Sequence, residues 1–276
     1  MSDLAARLAQ RAATVEAEVA YTVLPLDGGA PIRRHGDRAL PTASAIKLPL
    51  LAALYAADVR GTVALDRRVA VDPADVVPGS GVLKLFADGT QLTLRDHARL
   101  MIVVSDNIST NVVIRALGGP AAAHSAIQAL PVPLPATELR DAINFSRTGA
   151  FAVSSTDDFT ALLAAIHARR CTGDAAHDDE VYWTLRRQQH RGMLPRHLPM
   201  SAYAEEFGVD VDERCGSKSG STPGVRVDVG LVETRRRGWA LAVQIEGPPD
   251  FDLTEDHPYA QCIADLSRLV YEDWGR

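Results

Sequence analysis

The chain has 276 residues, of which 46% are hydrophobic and 23% charged, with a formal net charge of −6 and an isoelectric point near 5.7. That length buries a substantial core, as one large domain or two interleaved subdomains, and the ordinary apolar content excludes disorder as the default. An acidic balance with 5% aromatic residues supplies neither the basic surface nor the stacking rings that nucleic-acid binding requires.

Leu4, Leu8, Ala12 and Val15 recur at helical spacing and predict an amphipathic helix over about residues 1–17. No uninterrupted apolar stretch marks Met1 to Ala20 as a secretory signal, and no long apolar run suits a membrane span. The expectation is a soluble, cytoplasmic protein without a membrane partner, with a secreted chain trimmed of its signal as the alternative. Glu18 to Leu26 alternates like a strand, Asp27-Gly28-Gly29 turns, and a second short strand falls around Ile32 to His35. A strongly apolar helix then runs from Thr42 to Ala57, with Pro49 early enough to be tolerated.

From Gly61 to Gly89 the glycines and prolines predict loops and short helices. Leu94 to Val104 reads as a buried helix ending at Ser105-Asp106-Asn107, and Ser109 to Leu117 as another, closed by Gly118-Gly119-Pro120. Pro131 to Ser155 is irregular, and a helix resumes from Thr156 to about Ala168. Gly224 to Val232 and Trp239 to Glu246 alternate and are rich in valine, so Arg235-Arg236-Arg237 between them is a hairpin loop. A last helix covers Tyr259 to Tyr271. This order predicts one α/β layer built from both chain ends, residues 1–40 and 212–276, with an all-helical domain of residues 41–211 between them.

Cys171, Cys215 and Cys262 are widely spaced and odd in number, which fits free thiols in a reduced compartment. No pair of them has metal-ligand spacing, the eight histidines do not cluster, and no cofactor or metal is expected.

The chain writes 26 of its 29 basic residues as arginine, yet two of its three lysines stand beside serines, in Ser44-Ala45-Ile46-Lys47 and Lys218-Ser219-Gly220. Arginine does not release its proton in proteins, whereas a lysine with a lowered pKa acts as a base. Positions i and i+3 share a helix face, which puts Ser44 and Lys47 within reach of a hydrogen bond. A serine hydroxyl becomes a nucleophile when a neighbouring base takes its proton. Lys47 is flanked by Ile46, Leu48, Leu50 and Leu51. Burial there, with Lys218 as a nearby cation, would lower its pKa. The backbone N–H of Ser44, at the start of the helix, is available for a developing oxyanion. The alternative for each motif is structural: a capping serine, an N-cap at Ser105-Asp106-Asn107, and a polar turn entering a strand at Lys218-Ser219-Gly220.

The ordered set Ser44-x-x-Lys47, Ser105-Asp106-Asn107 and Lys218-Ser219-Gly220 resembles the penicillin-recognising serine hydrolases, most closely the class A serine β-lactamases. Residues 43–54, 78–83 and 101–111 are similar to that family around the motifs, and the likeness spans nearly the whole chain. It implies a five-stranded antiparallel sheet with terminal helices, an all-α domain and an active site in the cleft between them. It also implies Ser44 as the acylated nucleophile, Lys47 as its proton acceptor and Ser105 as the proton shuttle to the leaving nitrogen. Asn107 would hold the substrate's side-chain amide, Lys218 and Ser219 its carboxylate, and the N–H groups of Ser44 and Ser221 its oxyanion. Arg226 would be a second cation for the carboxylate.

One segment departs from the pattern. Class A enzymes carry before the helix at residue 156 a glutamate followed four residues later by asparagine, a pair that positions the deacylating water. Here Glu138, the candidate for that glutamate, is followed at this spacing by Ala142, with Asp141 and Asn144 nearby. The expected substrate is a small amide or β-lactam bearing a carboxylate. An acyltransferase, thioesterase or peptidase using the same acyl-serine, and a penicillin-binding module that releases its adduct slowly, stand beside that reading.

Overall fold

The computed structural model describes residues 3–145, 149–201, 203–209 and 211–276. Residues 1 and 2 of the expected first helix, and 146–148 of the expected irregular segment, lie outside these. The first half comprises α1 (Asp3–Ala12), β1 (Glu18–Pro25), β2 (Ile32–Arg34), β3 (Leu40–Pro41), a 3-10 turn (Ala43–Ile46) leading into α2 (Lys47–Val59), β4 (Arg68–Ala70), β5 (Gln91–Thr93), α3 (Leu94–Val103), α4 (Asn107–Ala116) and α5 (Pro120–Gln128). The second half comprises β6 (Glu138–Leu139), β7 (Ala152–Ser154), α6 (Thr156–His167), α7 (Ala175–Arg186), β8 (Arg214–Thr222), β9 (Val225–Glu233), β10 (Gly238–Glu246) and α8 (Pro258–Val270).

The main sheet is five-stranded and antiparallel, in the order β2-β1-β10-β9-β8, so the two chain ends meet where β1 pairs with β10. Side chains alternate across it. Trp239, Leu241, Val243 and Ile245 of β10 join Val19, Tyr21 and Val23 of β1 in a core with Leu4 and Leu8 of α1 and Ile263 and Leu266 of α8. The intervening Ala240 and Ala242, with Val227, Val229 and Leu231 of β9, face a second core that contains α2, Phe159 and Leu163 of α6, and Leu185 of α7. Because both faces are covered, β9 and β10 are buried almost throughout. β8 closes the sheet on one side and leaves one of its edges unpaired within the sheet. Among the described residues, no helix is long and apolar enough to cross a membrane.

The structure departs from the sequence expectation at several elements. The segment 41–211, expected to be all-helical, also carries the short strands β4 to β7, with β4 paired to β5 and β7 set between β3 and β6. The helix expected from Thr42 is a 3-10 turn until Lys47. α5 was not expected because Pro120 reads as a stop, whereas it occupies the start of the next helix, where its missing N–H costs nothing. α7, capped by Asp174, carries no clean apolar period. β8, for which the pass along the chain marks no strand and the structural alternative is a polar turn entering a strand, is nine residues of full strand paired in register with β9. Its sequence, RCGSKSGST, has low strand propensity, and tertiary pairing overrides it. The arginine run does form the tip between β9 and β10, closed by Thr234 N donating to Arg237 O at 3.1 Å.

Candidate active site

A cleft of about 470 Å³ lies where the 3-10 turn, the α3–α4 connection and β8 meet, and Ser44, Ser105, Asn107, Ser219, Gly220 and Ser221 all line it. Tertiary packing thus brings the three sequence motifs to one place.

Ser44 sits in the 3-10 turn, directly after Ala43, which is held at φ +43°. A non-glycine residue in that region costs about 1–3 kcal/mol, so the surrounding contacts must hold it there. One such contact is Thr42 N donating to Ala152 O at 3.2 Å. The turn is also pressed against β8. A Cβ on Gly220 would lie 2.6 Å from Ser44 N, 2.8 Å from Thr42 O and 2.9 Å from Ala45 N. Only glycine allows this approach. It brings the start of the turn, whose first N–H groups have no helical partner, beside the edge strand that carries Ser221.

Lys47 opens α2 and is fully buried. Its ammonium donates to Ser105 O at 2.7 Å, Asn107 Oδ1 at 2.8 Å and Ser105 Oγ at 3.1 Å. The hydrogen bond expected between Ser44 and Lys47 is not among these. A buried ammonium needs three acceptors, and the α3–α4 connection supplies all of them. Burial first, and the Lys218 charge second, hold Lys47 well below the ordinary lysine range, with Asp106 opposing them.

Ser105 is the second non-glycine residue at positive φ in the cleft, at +54°. Asp106 fixes the connection: Oδ1 caps α4 by accepting from Ser109 N at 2.8 Å, and Oδ2 accepts from Val82 N at 2.6 Å and Leu83 N at 2.9 Å. Asn107 is oriented by its own amide, which donates to Pro78 O at 3.0 Å. Ser80 Oγ donates to Ser105 O at 2.8 Å. The residues 78–83 noted in the sequence therefore act as the cradle for Ser105, Asp106 and Asn107.

Lys218 is buried on β8 and points to the same sheet face as its partner Val229, while Ser219 faces the side of Asp228. Gln188, which the sequence reading passed over, ties these together. Its Oε1 accepts from Ser219 N at 3.0 Å, Lys218 Nζ at 3.1 Å and Ser219 Oγ at 3.1 Å, and its amide donates to Ser217 Oγ at 3.0 Å. Burial pulls Lys218 down to about 7 against the raising effect of Asp228. Burial pushes Asp228 up to about 6, against the bond from Leu194 N at 2.9 Å and the Lys218 charge. Nothing in the sequence singles out Gln188 or Asp228, since each reaches the site only through strand pairing or a turn after α7.

Arg226 lines the cleft but is almost fully buried, and its guanidinium donates to Thr222 O at 2.9 Å, Val225 O at 2.8 Å and Asp252 O. It braces the β8–β9 turn against the chain before α8, while its Nε is buried without a hydrogen-bond partner. Glu138 is not brought to the site. It is exposed on β6, where it pairs with Arg140 at 2.9 Å, and it does not line the cleft. The two-residue strand, paired with Val153 of β7, turns it away. Its segment reaches the cleft instead through Ile143 and Phe145, with Phe151 beside them. Ile143 is clamped by Asn111, whose Oδ1 accepts from Ile143 N at 2.9 Å and whose Nδ2 donates to Ile143 O at 3.2 Å. Among the described residues no group of three histidine, cysteine or acidic side chains is placed to hold a metal.

Comparison with known proteins places this geometry. The model of the Beta-lactamase enzyme family matches residues 3–274. Beta-lactamase L2 of Stenotrophomonas maltophilia is 30% identical over 116 residues, 42% of this chain and 38% of that protein, so the match spans well under half of the curated relative. A β-lactamase structure from Sphaerobacter thermophilus is 30% identical with a TM-score of 0.83, covering 99% of this chain and 97% of that one. PBP-A, at 24% identity and a TM-score of 0.84 over 99% of this chain and 96% of its own, shares the fold. Matched almost from end to end, the chain belongs to the beta-lactamase enzyme family.

Proposed function

We propose that the chain is a serine-dependent amide hydrolase in which Ser44 is acylated by a small amide or β-lactam carrying a carboxylate. The observation that carries this reading is the convergence of Ser44, Ser105 and Ser219 to Ser221 on one cleft, with Lys47 buried and bonded to the lining residues Ser105 and Asn107. In its amine form Lys47 takes the Ser44 proton as Oγ attacks the carbonyl carbon. The oxyanion forms between the N–H groups of Ser44 and Ser221. Ser105, bonded to Lys47 Nζ, hands its proton to the leaving nitrogen as the C–N bond breaks and takes one from Lys47, which is left as the amine. Lys218 and Ser219 hold the carboxylate, Arg226 adds positive potential behind them, and Asn107 receives the side-chain amide. A base and one oxyanion donor contribute about 10²–10⁴ and 10²–10³ in rate.

A second reading, a penicillin-binding module that releases its adduct slowly, is favoured by one observation. The segment in which class A enzymes carry their water-activating glutamate gives this cleft Ile143 and Phe145, and Glu138 stays outside. The intact mass of the protein followed through time after mixing with a penicillin, beside Ser44→Ala, tests both. An adduct that forms and disappears while product accumulates supports hydrolysis, and a persistent one supports the binding module. No adduct, or one equally present on Ser44→Ala, removes Ser44 from the chemistry.

A further inference from the structure

An acyl-Ser44 ester is released only if some group takes the proton of the incoming water. Ile143, Phe145 and Phe151 form an apolar wall and offer no base. Among the described residues lining the cleft, the side chains with a proton-accepting group suited to neutral pH are His190 and Glu255. Both are exposed, and they differ in what holds them: Glu255 lies over Gly192, where a Cβ would meet its Cδ at 2.2 Å. His190 is fixed beside the reacting groups, with Nε2 3.3 Å from Val104 O, the carbonyl that directly precedes Ser105.

A carbonyl only accepts, so Nε2 carries the proton and the neutral ring keeps its lone pair on Nδ1. The groups facing the ring are Lys218, Lys47 and Glu255. Partial desolvation of the ring is the first cause that holds its pKa below the ordinary histidine value, and the two lysines add to it against Glu255 and the Val104 bond. The imidazole is therefore neutral at pH 7. It stands on the side of Ser105 and Lys218, the side given above to the leaving half of the substrate.

We propose that His190 is the general base for release of the acyl group, acting from the side that the leaving group vacates. This rests on the acyl-Ser44 reading. Water enters the vacated space and attacks the ester carbonyl carbon while His190 Nδ1 takes its proton. The C–Oγ bond then breaks as the proton on His190 passes through Ser105 to the Lys47 amine and on to Ser44 Oγ, so one water is consumed and one acid leaves. A linear acyl donor, whose leaving half diffuses away, opens this route. A β-lactam keeps its leaving half tethered to the acyl group and blocks it, which makes linear amides, esters and thioesters the substrates that turn over and β-lactams the ones that remain attached.

The test follows adduct mass and thiol release with a linear phenylacetylglycyl thioester whose leaving thiol bears a carboxylate, in wild type, His190→Ala, His190→Asn and Glu255→Gln. Both His190 variants should slow adduct release by about 10²–10⁴ and slow adduct formation far less. Added imidazole should restore release in His190→Ala, and the wild-type release rate should rise with pH through the histidine titration. A β-lactam adduct should persist equally in wild type and variants. Release unchanged in both His190 variants would leave deprotonation of water to Ser105 and Lys47 and overturn the proposal, as would an equal loss in Glu255→Gln. No Ser44 adduct from either donor would instead sink the acyl-serine reading, a failure visible in the wild type alone.

Discussion

Replacing Lys47 with arginine keeps the buried charge and removes the base, because a guanidinium holds its proton at any working pH. Adduct formation with a penicillin should fall by about 10²–10⁴ in Lys47→Arg, read by intact mass against wild type. The cation for the substrate carboxylate behaves differently. Lys218, drawn down to about 7 by burial and held from falling further by Asp228, is charged below that value and loses its charge above it. Carboxylate anchoring should therefore be complete in mild acid and fade as pH rises through the Lys218 titration. Asp228→Asn removes the charge that supports Lys218, so the alkaline limb of the acylation rate should move to lower pH. A limb that stays in place or moves to higher pH would show that another group controls it. At this scale the motif residues were legible because each motif is contiguous. Gln188 was not, since its three accepted hydrogen bonds exist only once the turn after α7 lies against β8.

At the scale of elements, the site depends on how closely β8 approaches the 3-10 turn. Gly220→Ala inserts a methyl group against backbone atoms of Thr42, Ser44 and Ala45, which have no flexible side chain to move aside. The turn and strand must separate, which should lower stability by about 1–3 kcal/mol. Spreading the two oxyanion donors should cut acylation by about 10²–10³. Thermal unfolding and adduct kinetics on one preparation separate the two effects. The strands of clear valine alternation, β1, β9 and β10, were legible because burial and pattern agree there. β8 was not, because glycine and serine are chosen for approach to the cleft rather than for strand propensity, and α5 was hidden behind a proline that both ends and begins helices. The expected Glu138 failed for a related reason: spacing along the chain does not say which way a two-residue strand turns its side chain.

Across the whole molecule, two cores lie on opposite faces of one sheet, and the terminal helices α1 and α8 seal the face that excludes α2. Leu8 is completely buried in that face and does not line the cleft. Leu8→Ala should cost about 2–5 kcal/mol in urea unfolding while folded molecules still acquire one adduct each. A variant that keeps its stability would show that α1 is dispensable to the core. The distribution of lysine over the molecule has a practical consequence. Lys47 and Lys218 are sealed from solvent, whereas Lys84 is exposed and its ammonium meets the carbonyl of Gly79 at the lip of the cleft. Of the chain's three lysine side chains it is the one open to amine-coupling reagents, so a fluorophore attached there would sit at the cleft mouth, where its emission would register the filling and emptying of the site.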